Sequence, residues 1–105
     1  RTFRERITAF ADEMPELRWI LIAAEPITDV DTTAADMLED LDQMLNARGI
    51  SLVFAEMKDP VREKIERYEL TRTIDPAHFY RTLDEAVAEY VRQTGATWRS
   101  PGAAS

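Results

Sequence analysis

The stretch that decides the fold is "WILIAAEPITDVDTTAADML", residues 19–38. It opens with an unbroken apolar run: Trp19, Ile20, Leu21, Ile22, Ala23 and Ala24. Both alternating faces of that run are apolar. A strand of this kind is covered on two sides, as in parallel sheets with crossover helices. The run stops at Glu25-Pro26 and passes through Asp29-Val30-Asp31-Thr32-Thr33. Apolar residues then return at helical spacing, with Ala34, Leu38, Leu41 and Leu45 facing inward and Met37 and Met44 beside them. Strand, acidic loop and helix therefore follow one another here.

Working outward, Gly49 stands where a left-handed residue closes a helix. Residues 50–55, "ISLVFA", make a second buried strand. Asp59-Pro60 supplies an N-cap and a first-turn proline for a further helix, whose inner face carries Val61, Ile65 and Tyr68. Upstream, Thr2-Phe3-Arg4-Glu5 has capping-box spacing. Phe3, Ile7, Phe10, Ala11 and Met14 then form one apolar stripe, and Pro15 ends the helix. The pattern weakens over residues 70–81, where Asp75-Pro76 marks a turn and Phe79-Tyr80 reads as a short edge strand. Thr82-Leu83-Asp84-Glu85 repeats the capping box before a helix built on Leu83, Ala86, Val87, Tyr90 and Val91. Trp19, Phe54 and Tyr68 are expected as core aromatics.

Helices alternating with strands define an α/β fold with right-handed crossovers. Two long strands are too few for a self-standing sheet. Further strands are therefore expected before residue 1, as part of a longer polypeptide. The expected division is one domain over residues 1–94 and a tail over 95–105, in which Trp98 is the residue suited to docking.

Bulk properties exclude several functions. The 105 residues carry a net charge of −7, from 13 basic and 20 acidic side chains, and form no basic stripe. Such a surface repels phosphate backbones, so nucleic acid is not expected as a partner. The six-residue apolar run is far short of the roughly 20 residues that span a bilayer, so this segment is not expected to insert into a membrane. Cysteine is absent, which fits a reducing compartment. None of Gly49, Gly95 and Gly102 lies between a strand and a helix, as a phosphate cradle requires. His78, the one histidine, has no nucleophile pattern around it.

In an open α/β sheet, function gathers beyond the carboxyl ends of the strands. Residues 25–42 lie there and hold seven carboxylates and no base. Asp29-x-Asp31-x-Thr33 resembles the first motif of haloacid-dehalogenase phosphatases. That motif starts directly at the strand end, however, whereas here residues 25–28 intervene. A calcium loop fits no better: Ala34 stands where glycine is wanted, and the helix begins too early to wrap an ion. The remaining reading is a helix cap, with Asp31 or Thr32 accepting from first-turn amides. Neither a metal site nor catalysis is expected. Exposed hydroxyls at a helix start remain open to phosphorylation, which would change the local charge.

Taken together, "TFRERI", "WILIAA", "EPITDVDTTAADML", "ISLVFAEM", "ERYEL" and "FYRTLDEAV" resemble a STAS domain, in particular the cytoplasmic carboxyl-terminal domain of SulP-type sulfate and anion transporters. The resemblance covers roughly residues 2–92. It implies a sheet flanked by about four helices, with two leading strands ahead of the first helix. It also implies a non-catalytic regulatory domain at the cytoplasmic face of the plasma membrane. Its partners would be the transporter's own transmembrane portion, in a homodimeric parent, and other regulatory proteins. Related anti-sigma-factor antagonists carry Asp-Ser-Ser-Gly at this helix start; Asp31, Thr32, Thr33 and Ala34 occupy those positions here. Thr33 thus matches their phosphorylated serine, and a free-standing antagonist is the alternative reading. Asp29, Asp31, Thr32 and Thr33 form the regulatory loop. Family proposals of weak nucleotide binding near this loop point to Lys58 and Arg62, which with Lys64 are the nearest cations in sequence; no other cofactor is implied. Family members usually have glycine where Glu69 stands, which implies an extended helix end here.

Overall fold

The computed structural model describes residues 2–69 and 74–95. Its elements are α1 (Phe3–Glu13), β1 (Trp19–Ala23), α2 (Thr32–Ala47), β2 (Ser51–Ala55), α3 (Asp59–Arg67), a 3₁₀ turn (Pro76–His78), β3 (Phe79–Tyr80) and α4 (Leu83–Thr94). The strands lie in the order β1-β2-β3 and all run parallel, with Leu21 opposite Val53 and Ala55 opposite Tyr80. The expected α/β class and the short edge strand are both present.

Local chemistry sets the helix ends. Thr2 Oγ1 accepts from the Glu5 N–H at 3.2 Å, and Thr82 Oγ1 from the Glu85 N–H at 3.1 Å. Both capping sites therefore form where their spacing places them. Helix α2 closes on a Schellman arrangement: Ile50 N–H donates to Leu45 O and Gly49 N–H to Asn46 O, with Gly49 at φ +76°. Ile50 and Leu45 are both buried, which supplies the apolar contact of that motif.

Helix α3 departs from expectation at both ends. Its N-cap is Lys58, which makes no side-chain capping bond, while Asp59 and Pro60 lie inside the first turn. The helix thus starts one residue earlier than expected, since proline is as well accommodated inside the first turn as at its start. At the other end α3 stops at Arg67, and Glu69 takes φ +61°. No extension occurs over the described residues. Glu69 adopts the left-handed backbone that glycine takes without strain.

Two faces of the sheet are covered differently. Ile20, Leu52 and Phe54 share a core with Ile7, Ala11, Leu38, Leu41, Leu45, Val61 and Ile65 of α1, α2 and α3. Burying each large side chain completely, as for Leu41 or Phe54, contributes about 1.5–3 kcal/mol. The opposite face carries Val53 and Ala55, also buried, beneath α4. The two-sided burial read from the sequence therefore holds for central β2. In edge strand β1 only Ile20 is buried and Ala23 is exposed.

Other corrections come from packing. Ala35, not Ala34, is the buried alanine of α2, and the inward stripe includes Asp42. On α1, Ile7 and Ala11 are buried, whereas Phe3, Phe10 and Met14 are 42%, 49% and 48% exposed. Phe54 is a core aromatic, but Trp19 and Tyr68 are half-buried. Trp19 sits against Tyr90 at 5.3 Å, edge to face, and near Tyr80 at 6.0 Å. In α4 only Ala86 is fully buried. Ile74 is buried too, an anchor that the weak pattern around it did not reveal. The expected tail beyond Gly95, including Trp98, lies outside the described residues.

Candidate functional site

The loop after β1 folds back at once. Ala24 N–H extends the strand pairing to Ala55 O at 2.8 Å, and Ile27 N–H closes a turn on Ala24 O at 3.0 Å. Asp29, Val30 and Asp31 then alternate. Val30 is buried, and both flanking carboxylates are exposed. The valine anchors the loop in the core, so its neighbours must face outward.

The two aspartates serve different elements. Asp31 is the N-cap of α2, its Oδ1 accepting the Ala34 N–H at 2.8 Å. Asp29 forms an ion pair with Lys64 of α3, a residue 35 positions away. That hydrogen bond to Lys64 holds the Asp29 carboxyl below its ordinary range, helped by the Val30 backbone; reciprocally, Asp29 raises Lys64. Sequence analysis named Lys64 only as a nearby cation, because nothing local signals a contact between loop and distant helix.

Thr32 and Thr33 occupy the first two helical positions of α2, and both are exposed. Free first-turn amides and the positive end of the helix dipole lie there. The hydroxyls are therefore accessible at a place that tolerates added negative charge.

Lys58, the N-cap of α3, and Arg62 within it are spaced one turn apart. Lys58 is exposed, while the Arg62 guanidinium lies 4.4 Å over the Phe79 ring and its Nε is 3.5 Å from Glu66 Oε1. Phe79 in turn stacks on Phe54 at 5.1 Å with the rings 8° from parallel. Arg62 thus caps a stack rooted in the core. Among the described residues, no group of three His, Asp or Glu side chains is placed to hold a metal ion.

Beside the loop lies a groove of about 190 Å³, lined chiefly by Phe3, Ile27, Ala34, Met37, Phe54 and Met57. Asp29 is the charged residue in its wall. Sequence reasoning missed this feature, which needs α1, α2 and the two strand-end loops brought together.

A parallel sheet with three helices on one face and one on the other, and an acidic capped loop beyond its strand ends, defines a small α/β domain whose exposed surface is a helix start. The chain belongs to the STAS domain family, whose model matches residues 1–86. It is 34% identical over 92 residues to a protein named as a probable sulfate transporter of Mycobacterium tuberculosis, covering 87% of this chain and 16% of that protein. High affinity sulfate transporter 2 of Stylosanthes hamata is 31% identical over 84 residues, or 80% of this chain and 13% of that protein. The chain thus spans less than a fifth of the transporters it matches. The solved SulP transporter STAS domain of Vibrio cholerae superposes with a TM-score of 0.73 at 16% identity, covering 90% of this chain and 77% of that one. That likeness establishes the shared fold. No helix among the described residues is long and apolar enough to cross a membrane.

Proposed function

We propose that this chain is a non-catalytic regulatory domain of a SulP-type sulfate or other anion transporter. It would act at the cytoplasmic face on the transmembrane portion of a homodimeric parent, and on other regulatory proteins that dock there. The observation that carries this reading is the exposed pair Thr32 and Thr33 at the start of α2, next to a loop tied down by Val30 and the Asp29–Lys64 pair. Supporting it are the family match and the sulfate transporters among the relatives.

A non-catalytic role is favoured because Asp29 and Asp31 are engaged by separate elements, Lys64 of α3 and the Ala34 amide of α2. Carboxylates so divided are poorly set to act together on one substrate. Nucleotide binding at Lys58 and Arg62 is not favoured, since Arg62 already covers Phe79 and faces Glu66.

The test is Thr33→Glu in the full-length parent protein, with sulfate uptake measured in vesicles. Uptake is expected to change while the thermal transition of the protein does not. Unchanged uptake refutes the regulatory reading. A free-standing antagonist would instead show a phosphorylated Thr33 and no upstream membrane region; the parent gene's length separates the two.

A further inference from the structure

We propose that the carboxyl-terminal tail of this chain docks on its own domain, with the Trp98 indole seated in a hollow between β1 and α4. Residues 96–105 lie outside the described part of the structure. The hollow, the place where the chain leaves α4 and the sequence of the tail together identify the occupant.

The hollow exists because α4 packs on β2 and β3 and leaves the same face of β1 partly bare. Trp19 and Leu21, which alternate with buried Ile20, are only half-buried there. Together with Leu17, Ala86, Val87 and Tyr90 they line a space of about 320 Å³. An apolar cavity of about 150 Å³ holds a benzene-sized group, so this one admits the larger ring system of an indole. Trp19 already meets Tyr90 edge to face at 5.3 Å, and a further aromatic ring finds the same kind of partner there.

The chain leaves α4 beside this hollow. Gly95 closes the helix at φ +70°, its N–H donating to Val91 O at 2.7 Å, and a left-handed residue in that place turns the chain off the helix axis. Gln93 and Thr94 share a second hollow with Arg18 and Trp19, so the exit lies against the start of β1. From Gly95 to Trp98 the chain spans up to about 10 Å, and Tyr90 lies about 7.5 Å back along the axis. Trp98 is therefore within reach of the hollow. It is also the one large apolar side chain of residues 96–105, which are otherwise Ala, Thr, Arg, Ser, Pro and Gly. Charge agrees with this seating. Arg99 follows Trp98, and exposed Glu13 and Glu16 border an adjoining hollow that shares Leu17 and Tyr90 with the first. The docked tail straps α4 to β1, the strand that runs directly into the acidic loop.

The experiment uses the full 105-residue chain labelled with 5-fluorotryptophan, in which Trp19 and Trp98 each give one fluorine resonance, assigned with Trp98→Phe. In the native chain the Trp98 resonance is expected well away from its position in urea. Trp98→Ala is expected to lower the folded-to-unfolded ratio about fivefold in urea unfolding, burial of the indole being offset in part by ordering the residues that carry it. That loss should shrink to less than about twofold once Val87→Asp has placed a charge in the hollow, because the two side chains then no longer share a contact. A Trp98 resonance at its urea position in the native chain overturns the proposal, and so does a Trp98→Ala loss that is the same in the Val87→Asp chain. A native shift that vanishes on dilution overturns it as well, since the hollow then takes Trp98 from a second copy. The resonance is read in the unsubstituted chain, so the outcome does not depend on any variant folding.

Discussion

Asp42 carries a charge into the buried face of α2, where 1% of its surface is exposed and its carboxylate accepts Asn46 Nδ2 at 3.1 Å. Burial pushes its carboxyl from 3.8 up to about 6, with the Asn46 hydrogen bond pulling the other way. The folded protein therefore holds this proton more tightly than the unfolded chain. Stability from the neutral group is complete at pH values below 3.8 and is lost as pH rises toward about 6. A displacement of about two pH units at about 1.36 kcal/mol each sets a ceiling of about 3 kcal/mol. The expected penalty at neutral pH is about 1–3 kcal/mol. Replacing Asp42 with Asn keeps the shape and an acceptor for Asn46 while removing the charge. The stability difference between Asp42→Asn and the parent chain is expected to be near zero at about pH 4 and to reach about 1–3 kcal/mol in favour of the variant above about pH 6.5. Using the difference cancels the opposite slope of groups such as Asp29 and Glu89, whose lowered carboxyls lose their contribution as pH falls. Urea unfolding across pH, followed by Trp fluorescence, measures it; the thermal midpoint should rise by about 4–8 °C per kcal/mol. A difference that does not vary with pH, or a variant less stable at neutral pH, refutes the argument.

Removing the α2 cap in Asp31→Ala should cost about 1 kcal/mol in urea unfolding, because the Ala34 amide loses its acceptor. Gly49→Ala should cost about 1–2 kcal/mol from backbone strain alone, since an added Cβ at φ +76° meets nothing within 4 Å; a loss well above that range would mean an unrecognised clash. Asp29→Asn, which breaks an exposed pair with Lys64, should leave the thermal midpoint nearly unchanged but speed hydrogen exchange in residues 25–31. Protection unchanged in that loop would show that Val30 alone holds it. As pH falls through the lowered Asp29 carboxyl value, the parent chain should acquire the same faster exchange.

Residues interacting within one turn were legible in the sequence, because their partners lie within reach of local spacing. Thr2, Thr82 and Gly49 end their helices as their positions dictate, and strand-length apolar runs with helical stripes between them determine an α/β order of elements. The acidic loop with its two threonines was legible in the same way. Tertiary structure alone decided which stripes find cover. One period is compatible with Ala34 or Ala35 inward, and only the crossing of α2 over β2 selects Ala35. Phe3, Phe10 and Met14 obey the same spacing as Ile7, yet their exposure depends on what lies beside α1. The Asp29–Lys64 pair, the Arg62–Phe79–Phe54 stack and the groove all join residues from separate elements, and Asp42 is buried only because other elements cover α2. Their energies depend on distance and burial in three dimensions, quantities that spacing along the chain does not contain.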